Sequence, residues 1–130
     1  MTNTVFIQAN PRQMLGARIS AYSYKRNSRS PRSFDVRIMT LDDFPRLKRP
    51  GQSLLRAGHI RAWNPDDLQS FSPLRFAPPT LLKWTGRSVV TDPDCFGVGD
   101  IAELFKRNMR LSLRAVAARE SHKGGARAPM

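Results

Sequence analysis

The stretch Val89-Val90-Thr91-Asp92-Pro93-Asp94 constrains this chain more than any other. Val and Thr are β-branched and fit an extended, half-buried strand. Pro93 has no N–H to give a ladder and steers Asp92 away from the helical region, so the strand has to end here. In an extended backbone, positions i and i+2 point to the same side. The spacing therefore predicts that Asp92 and Asp94 face one direction at a strand's carboxyl end, where open α/β sheets place their ligands. Two such carboxylates suit a hard divalent cation, Mg²⁺ or Mn²⁺, whose remaining positions go to phosphate oxygens and water. A plain Asp-Pro turn without a ligand is the alternative, and the pair alone does not decide between them.

The surrounding pattern is that of an α/β chain. Residues 4–8, with Val5, Phe6 and Ile7, read as a first strand that Ala9-Asn10-Pro11 breaks. Residues 12–26 read as a helix that opens near Pro11, with Leu15, Ile19 and Tyr22 at i, i+4 and i+7 as its inward face. A polar turn around Pro31 follows. Residues 34–40 alternate Phe34, Val36 and Ile38 against Asp35, Arg37 and Met39, which predicts a second strand. Strand–helix–strand units of this length build parallel sheets.

The middle of the chain is less legible. Residues 41–70 carry Pro45, Pro50, Gly51, Gly58 and Pro65, and are expected as loops with one short helix. Residues 73–82 suggest a short helix interrupted by Pro78-Pro79, and Gly86 ends that segment before a third strand at 87–91. Asp100-Ile101-Ala102-Glu103 matches a capping box and opens a helix to Asn108 with Ile101, Leu104 and Phe105 inward. Residues 111–118 fit a strand or a helix. Residues 1–118 then form one domain, and 119–130, with Gly124-Gly125 and Pro129, a loose tail.

Charge bears on partners. The 130 residues carry a net charge of +12, from 17 Arg and 5 Lys against 10 acidic residues. That balance favours polyanions: nucleic acid, anionic headgroups or phosphorylated metabolites. A basic nucleic-acid-binding module is thus one reading. However, the basic residues are spread over 25–49 and 106–127 and form no tract interleaved with aromatics. Cys95 is the single cysteine, so no internal disulfide forms, and with no signal-peptide pattern at 1–7 and no long apolar run a cytoplasmic location is expected.

Other residues admit a structural or a functional role. Arg75 stands among apolar neighbours and needs an anion, either a carboxylate such as Asp92 or a phosphate. Asn10 and Arg12 lie between the first strand and its helix, where Asn10 can cap or face an anion. Asp100 reads as an N-cap, Cys95 as a small core residue, and His59 and His122 as neutral side chains with no nucleophile or metal pattern around them. Trp63 and Trp84 read as packing residues, although Trp63-Asn64-Pro65-Asp66-Asp67 has the mix of aromatic and polar groups found in sugar sites. No catalytic residue is identified.

In order and spacing, these pieces resemble the first half of a family-eight type glycosyltransferase, the group that includes glycogenin and bacterial lipopolysaccharide galactosyltransferases. The matching elements are Val5-Phe6-Ile7-Gln8-Ala9-Asn10 running into Ala21-Tyr22-Ser23-Tyr24, then Arg75-Phe76-Ala77-Pro78-Pro79, then Gly86-Arg87-Ser88-Val89-Val90-Thr91-Asp92-Pro93-Asp94 on to Val98-Gly99-Asp100-Ile101-Ala102-Glu103-Leu104. They cover residues 4–109. The resemblance implies a GT-A fold, a Rossmann-like nucleotide-sugar-binding sheet with flanking helices. It also implies hexosyl transfer from a nucleotide-diphosphate sugar, most simply a UDP-sugar, with retention, onto a glycan or other acceptor. Gln8, Ala9, Asn10 and Arg12 would lie at the nucleoside, and Arg75 would meet the diphosphate or brace the acidic pair. Asp92, Pro93 and Asp94 would bind the nucleotide sugar, with Asp92 and Asp94 holding Mn²⁺ or Mg²⁺. Asn10 stands where the family often has an acidic residue, which leaves the base open. Family members run to about twice this length, so the resemblance also implies an incomplete sheet, a truncation in the tail, and an inactive fragment as a further alternative.

Overall fold

The computed structural model describes residues 2–56, 58–65, 67 and 71–108. The protein is mixed α/β, built on a three-stranded parallel sheet of order β2-β1-β5. Strand β1 (Asn3–Gln8) leads through a 3₁₀ turn at Pro11–Gln13 into helix α1 (Met14–Arg26) and back into β2 (Asp35–Met39). A small antiparallel hairpin of β3 (Ser53–Arg56) and β4 (His59–Ala62) follows. After a 3₁₀ segment at Ser72–Phe76 come the single-turn helix α2 (Pro78–Leu81), strand β5 (Arg87–Thr91) and helix α3 (Ala102–Lys106).

The central strand explains the arrangement. Val5, Phe6 and Ile7 are all fully buried, as expected of a parallel strand covered on both faces. Val5, Ile7 and Ala9 pack with Ala17, Tyr24, Phe34, Ile101, Ala102 and Phe105 on the α1–α3 side. Phe6 packs with Met39, Phe71 and Leu74 on the other. Each fully buried Val, Ile or Phe contributes about 1.5–3 kcal/mol, so β1 anchors both half-cores. Gln8 shares the face of Phe6 by the two-residue period, which turns its amide toward the Ser72–Phe76 segment.

Three expectations need correcting. Helix α1 does not bury Leu15, Ile19 and Tyr22; they are 72%, 49% and 65% exposed. Ala17, Ser20 and Tyr24 face inward instead, because this side of the helix is held close to the segment after β5, where Ser20 and Tyr24 bond the Cys95 carbonyl. Gly16 shows how close: a Cβ on it would sit 2.9 Å from the Pro93 carbonyl oxygen. The described residues of 41–67 hold the β3–β4 hairpin and two 3₁₀ turns, at Leu41–Asp43 and Pro45–Leu47, and no α-helix. Helix α3 spans only Ala102–Lys106, with Ile101 and Phe105 buried and Leu104 packed against the same core. The three main strands, the break at Pro78 and the stop at Gly86, which has φ +81, agree with the pattern. Residues 111–118, the tail and His122 lie outside the described residues.

Candidate functional site

The carboxyl ends of β1 and β5 lie side by side, with Ile7 opposite Thr91, and this register brings the candidate residues together. Asp92 follows β5 immediately. Its carbonyl accepts from Cys95 N at 3.2 Å, closing a turn with Pro93 and Asp94 at its centre. The expected extended geometry is therefore absent: the strand ends at Thr91, and Asp92 and Asp94 are the first and third residues of a turn. Both line one open cavity of about 390 Å³ with Pro93, Arg75, Gln13, Phe71 and Ser72.

Asp92 is held from two sides. Gln8 Nε2 donates to Asp92 Oδ1 at 2.5 Å, from a side chain only 1% exposed. Arg75 Nη2 donates to Oδ1 at 3.1 Å and to Oδ2 at 3.3 Å. Both charged side chains are about half exposed, 55% and 44%, so the pair is worth no more than about 1 kcal/mol and is open to exchange. Arg75 thus pairs with Asp92, the first of the two aspartates. Asp94 is exposed at the mouth of the cavity.

Helix α1 holds the acidic turn in place. Ser20 Oγ donates to the Cys95 carbonyl at 2.5 Å and Tyr24 OH to the same oxygen at 3.2 Å. Ser23 Oγ accepts from Gly97 N at 2.8 Å, and Asn27 Nδ2 donates to the Gly97 carbonyl. Gly16, Ser20, Ser23 and Asn27 form one stripe along α1, so the segment from Pro93 to Gly97 lies in a groove lined with small polar residues. Further along, Asp100 Oδ1 accepts from Ser28 Oγ at 2.6 Å and from Ala102 N at 3.0 Å, and Oδ2 from Arg29 N at 3.3 Å. Asp100 thus meets the first N–H of α3. Ile101 and not Asp100 is the residue that precedes the helix, and the expected capping box does not form because Glu103 N bonds the Asp100 backbone carbonyl. The Ser28 hydroxyl, foremost among these donors, holds the Asp100 carboxyl below the ordinary 3.8.

The other candidates line a second cavity of about 350 Å³ at the ends of β1 and β2. Ala9, Asn10, Pro11 and Arg12 meet Thr40, Leu41, Pro50, Trp63 and Pro65 there, with the Asp42–Lys48 ion pair (2.6 Å) at its edge. Asn10 is buried and caps the Pro11–Gln13 turn, its Oδ1 accepting from Gln13 N at 3.0 Å. Trp63 is buried in this wall, its backbone N–H donating to the Gln52 carbonyl at 2.8 Å. The sequence singled out Trp63 but not its partners Thr40, Leu41 and Pro50; the end of β2 was the signal that could have placed them. Trp84 is 83% exposed and Cys95 is exposed, so neither is the core residue expected. His59 is exposed on the hairpin and lines neither cavity.

Among the described residues no cluster of three or more His, Cys, Asp or Glu side chains could hold a metal, so a cation here would take two carboxylates and other oxygens. That donor set fits Mg²⁺ or Mn²⁺, which are commonly bound through one or two carboxylates with water and phosphate completing the shell. Gln13 Oε1 and Gln8 Oε1 are buried acceptors with no hydrogen-bond partner among the described residues. No helix among the described residues is long and apolar enough to cross a membrane. Comparison with protein-family models, with curated proteins and with solved structures finds no match for this chain.

Proposed function

We propose that this chain is the donor-binding part of a glycosyltransferase, a hexosyltransferase that takes a nucleotide-diphosphate sugar with a divalent cation on Asp92 and Asp94. The observation that carries this reading is the shared cavity: two carboxylates and a guanidinium at the carboxyl end of a parallel sheet, beside the point where strand order reverses at β1. Asp92 and Asp94 would hold the cation, which would supply positive charge to offset that of a leaving diphosphate. Arg75 lies where it can pass from Asp92 to a phosphate oxygen. The neighbouring cavity at Ala9–Arg12, walled by Trp63, suits a flat base with polar edges.

A Rossmann-like sheet of the GT-A kind is the architecture that this reading implies, with β1 as its central strand. The donor is a UDP-sugar in its simplest form, the transfer proceeds with retention by resemblance, and a glycan is the expected acceptor. Calorimetric titration of UDP, GDP and ADP in the presence of Mn²⁺ tests the reading. Heat of binding from at least one, lost in Asp92→Ala and Asp94→Ala, supports it. Absence of binding by all three, with salt-sensitive binding to random oligonucleotides that ignores both substitutions, replaces it with a nucleic-acid-binding module.

A further inference from the structure

We infer that the outer face of helix α1 docks on an anionic lipid surface, a role separate from the donor cavity. Leu15, Ile19 and Tyr22, whose spacing predicts a core face, are instead the exposed apolar residues of this helix. At i, i+4 and i+7 they form one stripe about 10 Å long. Arg26 continues the stripe one turn beyond Tyr22, and Arg18 flanks it one turn before Tyr22. Both arginines are exposed, and no carboxylate pairs with either among the described residues. The stripe is also preformed. Ser20 and Tyr24 tie another side of the helix to the Cys95 carbonyl, and Ser23 and Asn27 tie it to Gly97.

Charge selects the occupant. Residues 1–34 contain six basic side chains and no Asp or Glu. Lys25 is committed to the Pro31 and Phe34 carbonyls, which leaves Arg18 and Arg26 as the cations of this face. The Pro93–Gly97 segment, which carries Asp94, packs against Gly16, Ser20 and Ser23, on a different side of the helix. An occupant must therefore be apolar opposite Leu15 and Ile19 and anionic around them. A second copy of the chain fails this condition, because a two-fold contact through α1 would press two like-charged faces together. A bilayer interface meets it. The headgroup boundary receives Leu15 and Ile19, and Tyr22 has the amphipathic ring suited to that depth. Arg18 and Arg26 reach anionic headgroups while their alkyl stems cover apolar surface. The net charge of +12 draws the whole chain to such an extended surface, whereas a single acidic protein would match it only at the contact.

The test is co-flotation of the full chain with vesicles of phosphatidylcholine, and of phosphatidylcholine mixed equally with phosphatidylglycerol, with circular dichroism to confirm folding. The native chain is expected to float with the mixed vesicles and not with phosphatidylcholine alone. Leu15→Gln/Ile19→Gln should weaken that binding about tenfold or more, because two apolar anchors are lost. If that variant does not fold, Leu15→Gln alone is expected to give a loss of a few fold. Arg18→Gln/Arg26→Gln should also lose about tenfold, whereas Arg37→Gln/Arg46→Gln, which removes two exposed charges outside α1, should lose less than about threefold. Equal losses from the two arginine pairs, or unchanged binding in the folded apolar variant, overturn the proposal by reducing the contact to general charge attraction. A native chain that floats with neither vesicle also overturns it and leaves the stripe to a protein partner.

Discussion

Gln8, at the end of β1, donates its side-chain amide to Asp92, at the end of β5, over 2.5 Å and 84 residues of sequence. The bond exists because Ile7 and Thr91 are opposite in the parallel register, so the next residues of both strands meet. It couples sheet pairing to the aim of a carboxylate. A slip of one residue would turn one partner to the opposite face and break the bond.

Gln8→Leu is therefore expected to separate stability from binding. The lost charge-assisted bond, about 1.5–3 kcal/mol, is offset by removal of a buried unpaired acceptor costing about 1–3 kcal/mol. Urea unfolding should change by less than about 1 kcal/mol. Mn²⁺ affinity should fall about tenfold, because Asp92 loses the group that orients it.

Gly16→Ala should destabilise despite the better helix propensity of alanine. A helical Gly→Ala exchange ordinarily gains about 1 kcal/mol. Here the new Cβ would lie 2.9 Å from the Pro93 carbonyl oxygen, a backbone atom that cannot swing aside. Over-packing of this kind costs about 1–3 kcal/mol, so the melting temperature should drop and the acidic turn should move off α1. A rise in melting temperature with unchanged Mn²⁺ binding would show that the close approach is unimportant.

Much of the fold was legible in local pattern. The strands at Val5–Ile7, Val36–Ile38 and Val89–Thr91 declared themselves through β-branched and aromatic runs, and Pro93 marked the end of β5 correctly. The inward face of α1 was misread because periodicity rewards large apolar residues. The helix instead buries Ala17 and Ser20, with Gly16 against a backbone carbonyl, and only the tertiary approach of residues 93–97 reveals it. The hairpin was hidden for a similar reason: β4 is exposed along its length and so carries no burial signal, and Gly58, at φ +78, was its one local mark. The sequence grouped Asp92, Asp94 and Arg75, and the fold does bring them to one cavity. Gln13, which lines the same cavity, was not singled out, because a glutamine without a capping or charge pattern gives no signal.

Arg75→Gln should move two affinities in opposite directions. Arg75 occupies both oxygens of Asp92, at 3.1 and 3.3 Å, so it competes with any cation there. Its removal should tighten Mn²⁺ alone by a few fold, in keeping with an exposed pair worth up to about 1 kcal/mol. The same change should weaken a nucleoside diphosphate in saturating Mn²⁺ by about tenfold, the loss of one charge-assisted bond to phosphate. Parallel changes in the two titrations would contradict this exchange.

Asp100 gives the fold an acid-sensitive strap. Its folded-state carboxyl lies below the ordinary 3.8, mainly through the Ser28 hydroxyl. A depressed value means that the stabilisation is present above 3.8 and is lost as pH falls through the lower folded-state value. Asp100→Asn should therefore be less stable than the native chain at neutral pH, and the gap should shrink once pH drops below 3.8. Urea titrations across that range check the sign; a gap that widens with acid would refute it.

The most direct measurement is the metal dependence of UDP affinity, by calorimetry, in the native chain and in Asp92→Asn/Asp94→Asn. The account predicts that Mn²⁺ tightens UDP by about tenfold or more in the native chain and has no effect in the double variant. UDP binding that is equally strong without Mn²⁺, or in the double variant with it, would contradict the claim that these two aspartates hold a cation for a diphosphate.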